Sequence, residues 1–177
     1  SHFPRSISAQ PFEQIKDTDL WVVSIELPPG SRIEYKFECI SGEHGELITD
    51  PLNPVIAHDP FGANSVCQGA GYERPDWTLP DPEVRTGSLM TAQVPSAAFG
   101  DAREIGVYLP ARFRRNRRYP LLIVHDGMDY LQFAALGTVL DNLIHRLEIS
   151  PMIVALTQSA NRLEEYAGDA RPARFVA

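Results

Sequence analysis

The sequence predicts an all-β N-terminal half followed by an open α/β sheet, and three observations carry that reading. Apolar and polar residues alternate at period two in the first seventy residues, Pro 15 and Gly 12 in 177 residues mark frequent turns, and beyond residue 120 continuous apolar runs are separated by a helical stripe. A composition of 44% hydrophobic and 22% charged residues is that of a folding globular chain. Lys+Arg 16 against Asp+Glu 23 leaves a net charge of −7, which argues against nucleic-acid binding by general basicity. No window reaches the ~18 apolar residues of a membrane helix, and no leader is visible, so no membrane contact and a cytoplasmic location are expected. Cys39 and Cys67 form no C-x-x-C or His-Cys cluster, so no disulfide scaffold, metal or cofactor is expected.

In chain order, Leu20 to Pro28 alternates with Trp21, Val23, Ile25 and Leu27 on one face, the pattern of a half-buried strand. Pro28-Pro29-Gly30 breaks it, and Arg32 to Glu38 alternates again with Ile33, Tyr35, Phe37 and Cys39 inward, so the two runs read as a hairpin with Cys39 an inert core thiol. Glu46 to Thr49 and Asn64 to Gln68 add short strands around the Pro-rich loop Asp50 to Gly62, a spacing that fits an immunoglobulin-like sandwich over residues 1–71. Residues 72–83, with three prolines around Trp77, read as a linker, and residues 84–177 as the second domain. There, Gly87 to Val94 and Arg103 to Leu109 read as a hairpin, and Leu121 to Val124 as a strand covered on both faces. Leu136, Val139, Leu140, Leu143, Ile144 and Leu147 make one face of a helix, and Met152 to Leu156 a second buried strand, giving a βαβ unit.

In an open parallel sheet, ligands collect beyond the carboxyl ends of the strands. Those ends are His125-Asp126-Gly127-Met128-Asp129 and Gln158-Ser159-Ala160-Asn161-Arg162. Gly127 would let the backbone turn sharply and aim an N–H at a developing oxyanion. A plain strand-to-helix turn with Asp126 accepting backbone hydrogen bonds explains the same residues. His125 reads as a hydrogen-bonded structural histidine, His44 and His58 lack metal-ligand spacing, and the run Arg112, Arg114, Arg115, Arg117 and Arg118 reads as a solvated connection. Arg162 and Glu165 are spaced for a helical ion pair.

The order Gly87-Ser88-Leu89, Arg103-Glu104-Ile105-Gly106-Val107-Tyr108-Leu109-Pro110 and Arg118-Tyr119-Pro120-Leu121-Leu122-Ile123-Val124-His125-Asp126-Gly127 resembles the opening of an α/β-hydrolase of the "putative esterase" (esterase D) family. Asp141-Asn142-Leu143-Ile144 and Asn161-Arg162-Leu163-Glu164-Glu165-Tyr166 extend the likeness to enterochelin (ferric enterobactin) esterase-like proteins. Leu20-Trp21, Tyr35-Lys36-Phe37 and Asp50-Pro51-Leu52-Asn53-Pro54 resemble the early-set sandwich that precedes such esterases. The resemblance implies serine carboxylester hydrolysis of a small-molecule ester, a ferric catechol siderophore being the suggested substrate. It assigns the backbone N–H of Met128 as an oxyanion-hole donor and places Asp126, Gly127, Asp129, Asn161, Arg162, Glu165 and Tyr166 at the substrate site.

The G-x-S-x-G pentapeptide that lifts a family nucleophile above the sheet does not occur in this sequence. The nucleophile, acid and histidine are therefore expected from a C-terminal segment, or a second chain, that completes the sheet, and the 177 residues alone are expected to be inactive. A different class of function also fits, in which the sandwich grips a glycan or a partner through Trp21, Tyr72 and Trp77, although the alternation places Trp21 inward. Esters on glycans, feruloyl or acetyl, fit the visible residues as well.

Overall fold

The structure is a computed structural model that describes residues 10–159, 161–166 and 170–176, with the side chains of Tyr166 and Val176 outside the description. The chain divides into two compact units, one holding the residues up to Ile33 with Cys67–Glu73, the other Glu34–Val66 and the residues from Arg74 onward.

In the first unit, β1 (Glu13–Gln14) pairs antiparallel with β2 (Trp21–Val22), Glu13 opposite Val22 and Gln14 opposite Trp21. The strand expected over Leu20 to Pro28 is thus two residues long, and Trp21 is 59% exposed instead of inward. Alternation fixes an inner face only where a neighbouring strand pairs along the run, and β2 has two paired positions. The following segment bonds to the return near residue 70, Gly30 N–H to Ala70 O and Gly69 N–H to Ser31 O, both 2.8 Å. The expected hairpin between the first two alternating runs is therefore not formed.

The alternating run of residues 32–39 divides at Lys36 into β3 (Arg32–Tyr35) and β4 (Phe37–Ser41), and β4 forms a hairpin with β5 (His44–Ile48). Cys39 is exposed on this hairpin, which corrects its reading as a core thiol. A two-stranded ribbon has no third layer to cover it, and Ile40 and Leu47 stand in solvent with it, 71% and 64% exposed. β6 (Ile56–Asp59) and β7 (Gly62–Gln68) pair across a two-residue turn, and the sheet order is β3-β7-β6. The Asp50-Pro51-Leu52-Asn53-Pro54 stretch is a polar joint beside this sheet. Tyr35 Oη donates to Asp50 Oδ2 at 2.7 Å, Asn53 Nδ2 donates to Val66 O at 2.8 Å, and Asp50 N–H donates to the buried Ser65 Oγ at 2.8 Å. Asp50 and Asn53 also accept the N–H groups of Leu52 and Val55, so each side chain fixes its own turn while satisfying the strand edge.

The Pro-rich stretch makes one 3-10 turn, Asp76–Thr78, and is fastened to the helix behind it: Asn142 Nδ2 donates to Trp77 O and Leu79 O, both 2.8 Å. Beyond it lies the main sheet, built from β8 (Ser88–Ser96), β9 (Asp101–Leu109), β10 (Leu121–His125) and β11 (Ile153–Thr157) in the order β10-β11-β9-β8. The β8–β9 hairpin pairs from Ser88↔Leu109 to Ser96↔Asp101, as the alternation predicts. β10 and β11 are parallel, Leu121 opposite Ile153 through His125 opposite Thr157, and β9 is antiparallel to β11. The crossover carries two helices, α1 (Gly127–Phe133), which the periodicity does not announce, and α2 (Leu136–His145). Tyr108, Leu140, Val154 and Leu156 form the buried core, backed by Val124, Leu131, Leu136 and Ile144. Burial of each such aliphatic side chain is worth about 1.5–3 kcal/mol.

Two expectations fail here for identifiable reasons. Leu147 was placed on the inner face of α2 but is 86% exposed, because the helix ends at His145 and Leu147 itself takes φ 60°, outside the helical 100° step. Leu121 and Leu122 are 61% and 39% exposed, because among the described residues β10 pairs with β11 alone and forms the sheet's edge. Two short helices, α3 (Arg162–Tyr166) and α4 (Arg171–Val176), follow β11.

Candidate functional site

The carboxyl ends of the two parallel strands, His125 and Thr157, open on a cleft lined also by Phe99, Arg103, Glu104, Ile105, Gln158, Ser159, Glu165, Pro172 and Phe175. Topology makes this the expected place for chemistry, because side chains and loop amides from several elements converge there.

The chain leaves β10 through a left-handed residue, Asp126 at φ 53° and ψ 34°, and enters α1 at once. The strained residue is the aspartate, whose short polar side chain tolerates this region. Gly127 serves another need. A Cβ on it would lie 2.5 Å from Leu156 Cβ and 2.7 Å from Leu156 Cα, so only glycine lets α1 approach β11 this closely. The requirement for positive φ, expected at Gly127, is thus met one residue earlier. The turn places the Met128 amide in the first turn of α1, where a helix offers no internal acceptor. The Met128 side chain passes over β9, its sulfur 3.3 Å from where a Cβ on Gly106 would stand.

Arg162 reaches back to this turn, with Nη2 2.8 Å from Asp126 Oδ2 and Nη1 4.0 Å from Asp129 Oδ2, while Gln158 Nε2 lies 3.5 Å from Asp129 Oδ2. Asp126, Asp129, Gln158 and Arg162 therefore form one polar rim that ties the two strand ends together. Glu165 takes a different place. It is 8% exposed and pairs with Arg103 Nη2 at 3.0 Å, and the Arg103 guanidinium lies 3.8 Å from the Phe99 ring centroid. Phe99 meets Phe175 edge-on at 5.9 Å. The Arg162–Glu165 pair that the helical spacing suggested is not formed, because each has a partner on another element. Asn161 caps α3 by accepting the N–H of Glu165 at its carbonyl, 2.9 Å, and of Glu164 at Oδ1, 3.4 Å. The Tyr166 side chain lies outside the described residues.

The surroundings of three lining groups were not legible in the sequence. Thr157 Oγ1 is 3.1 Å from His125 Nδ1, the partner that holds this histidine at the strand end. Ser159 Oγ is buried without a hydrogen-bond partner among the described residues. Arg103 sits 62 positions from Glu165, and no periodicity in a single sequence links them. The arginines from Arg112 to Arg118 are all exposed, the solvated connection expected of them. Among the described residues no group of three or more His, Cys, Asp or Glu side chains is placed to hold a metal, and no helix is long and apolar enough to cross a membrane.

A β-hairpin leading into a parallel pair, with a left-handed turn at the strand end, is the arrangement of an open α/β sheet. Residues 96–176 match the model of the family described as "Putative esterase". The ferric enterobactin esterase of Salmonella typhimurium shares the fold with a TM-score of 0.68 at 21% identity, covering 95% of this chain and 50% of that one. The enterobactin esterase of Shigella flexneri, solved in the presence of enterobactin, gives a TM-score of 0.61 at 22% identity, covering 86% of this chain and 44% of that one. The same enzyme with 2,3-dihydroxy-N-benzoyl-serine gives 0.58 at 22% identity, with 86% and 44% covered. The chain thus spans about half the length of these structures. No curated protein sequence is matched.

Proposed function

We propose that this chain is the N-terminal portion of a serine carboxylester hydrolase acting on catechol-siderophore esters of the ferric enterobactin kind. The observation that carries the reading is the Asp126–Met128 turn: a left-handed residue and a glycine pressed on Leu156 set the Met128 amide in the first turn of α1, just past His125, which lines the cleft at the ends of two parallel strands. When a nucleophile attacks the ester carbonyl, negative charge gathers on its oxygen, and a fixed N–H in a partly dry cleft stabilises that charge without reorganising. Met128 supplies that donor. Asp126, Asp129 and Arg162 hold the turn and border the entrance, while Glu165 acts through Arg103 as a positioning residue for α3.

The nucleophile, histidine and acid come from a segment of a longer chain that pairs along β10. The exposed Leu121 and Leu122 on that unpaired edge support this, as does the half-length coverage of the neighbours. In the same reading, residues 1–71 are an early-set, immunoglobulin-like sandwich preceding the hydrolase domain, with 72–83 connecting them.

The test is hydrolysis by the full-length protein of a 2,3-dihydroxybenzoyl-serine ester beside feruloyl and acetyl esters. Loss of turnover when the elbow serine is changed to alanine supports the reading, and full activity in that variant rejects it. Faster turnover of the feruloyl or acetyl glycan esters would keep the reaction and replace the substrate. The exposed Trp21 favours one further reading, a saccharide-binding module. Calorimetric binding of oligosaccharides with no ester turnover would establish it in place of the esterase.

A further inference from the structure

We infer that Phe61, on the turn between β6 and β7, is a specificity residue that receives the aromatic acyl ring of the substrate, an inference that rests on the esterase reading above. Phe61 is 81% exposed, so the fold leaves the burial of a large apolar ring unused. The turn beneath the ring is nonetheless fixed. Its own N–H donates to Asp59 Oδ1 at 2.7 Å, Asn64 Nδ2 donates to Asp59 Oδ2 at 2.9 Å, and Gly62 closes the turn at φ 134°, a value open to glycine. A ring presented on a turn fixed at both ends loses little freedom on binding.

Its neighbour identifies the occupant. The Arg162 guanidinium lies 5.8 Å from the Phe61 ring centroid while its nitrogens engage Asp126 and Asp129, and α1 itself packs against β6. The turn that carries Phe61 therefore borders the rim of Asp126, Asp129 and Arg162, whose two aspartates flank Gly127 and Met128 in the chain. Asp126 and Asp129 already offset the charge of Arg162, so what the rim offers is a planar cation face and an aromatic face side by side. Those surfaces suit a flat aromatic ring over an aliphatic acyl group, through ring stacking and cation–π contact. Phe61 thus adds a selecting residue from outside the family-matched segment 96–176.

The experiment compares KM for a dihydroxybenzoyl ester with KM for an acetyl ester of the same alcohol in the full-length protein, and measures 2,3-dihydroxybenzoate binding by NMR saturation transfer. Phe61→Ala is expected to raise the aryl-to-acetyl KM ratio about tenfold, the worth of one aromatic contact, with Phe61→Trp restoring it. Leu52→Ala, a control at a residue 91% exposed, leaves the ratio unchanged. An unchanged ratio in Phe61→Ala overturns the inference while leaving the esterase in place. Phe61-dependent binding of dihydroxybenzoate by a protein that hydrolyses no ester retains the ring site and removes the esterase reading.

Discussion

Individual residues in this chain are set by close approach and by paired polar groups. At Gly127 the space for a side chain is already taken by Leu156, whose Cβ would be 2.5 Å from a new methyl group. Gly127→Ala is expected to lower stability by about 1–3 kcal/mol, read as a reduced urea midpoint at unchanged slope. Under the esterase proposal, ester turnover by the full-length protein should fall along with it, since the same displacement moves the Met128 amide; a stable Ala variant would show that α1 can shift freely. Tyr108 is a second such residue. Burial, and after it the hydrogen bond to Asp141 Oδ1 at 2.7 Å, pushes the phenol well above its ordinary value of 10.0. Below that value both folded and unfolded chains keep the proton, and the contribution is whole. Above it the unfolded chain loses the proton first, so stability falls as pH rises past 10. Tyr108→Phe should flatten this alkaline decline in a pH series of urea melts, at a cost near neutrality of about 1.5–3 kcal/mol for the lost bond to a carboxylate.

At the scale of elements, α3 is tied to the main sheet by a largely buried ion pair. Glu165 in α3 is held by Arg103 of β9 at 3.0 Å, with side chains 11% and 20% exposed. Removing the carboxylate leaves a largely desolvated guanidinium whose remaining contacts are Asp101 at 3.3 Å and the Phe99 ring. Glu165→Ala is expected to cost about 2–3 kcal/mol, below the full penalty for an orphaned buried charge. Hydrogen exchange should show the loss first in α3 and α4, before the β8–β9 hairpin loosens; a uniform loss would mean that these helices open only with the sheet. β8 and β9 were legible in the sequence because nine consecutive pairs reinforce one alternation. β2 was not, because two pairs give alternation nothing to face. The short α1 was hidden because its seven residues hold fewer than two turns of periodic signal.

Across the molecule, the edge of the main sheet governs behaviour. Among the described residues the outer edge of β10 has no strand beside it, and Leu121 and Leu122 are exposed there, an arrangement that templates association. The 177-residue chain is expected to self-associate in sedimentation velocity, and Leu122→Lys, a charge at that edge, to shift it toward the monomer. Persistent association in the lysine variant would place the contact elsewhere, with the exposed β4–β5 hairpin the next surface to alter.

The sequence by itself determined the β-then-α/β order, the β8–β9 hairpin, the parallel pair β10 and β11, and the solvated arginine run. Each rests on neighbours within one element, where periodicity and turn chemistry speak directly. Only the tertiary structure decided which groups meet across the fold: Arg103 with Glu165, Asn142 with the carbonyls of Trp77 and Leu79, Arg162 with Asp126, and Phe61 with Arg162. It also moved the positive φ from Gly127 to Asp126 and gave the glycine a packing role against Leu156. Those outcomes depend on distances between segments far apart in the chain, and a single sequence carries no term for such distances until the sheet order brings the segments side by side.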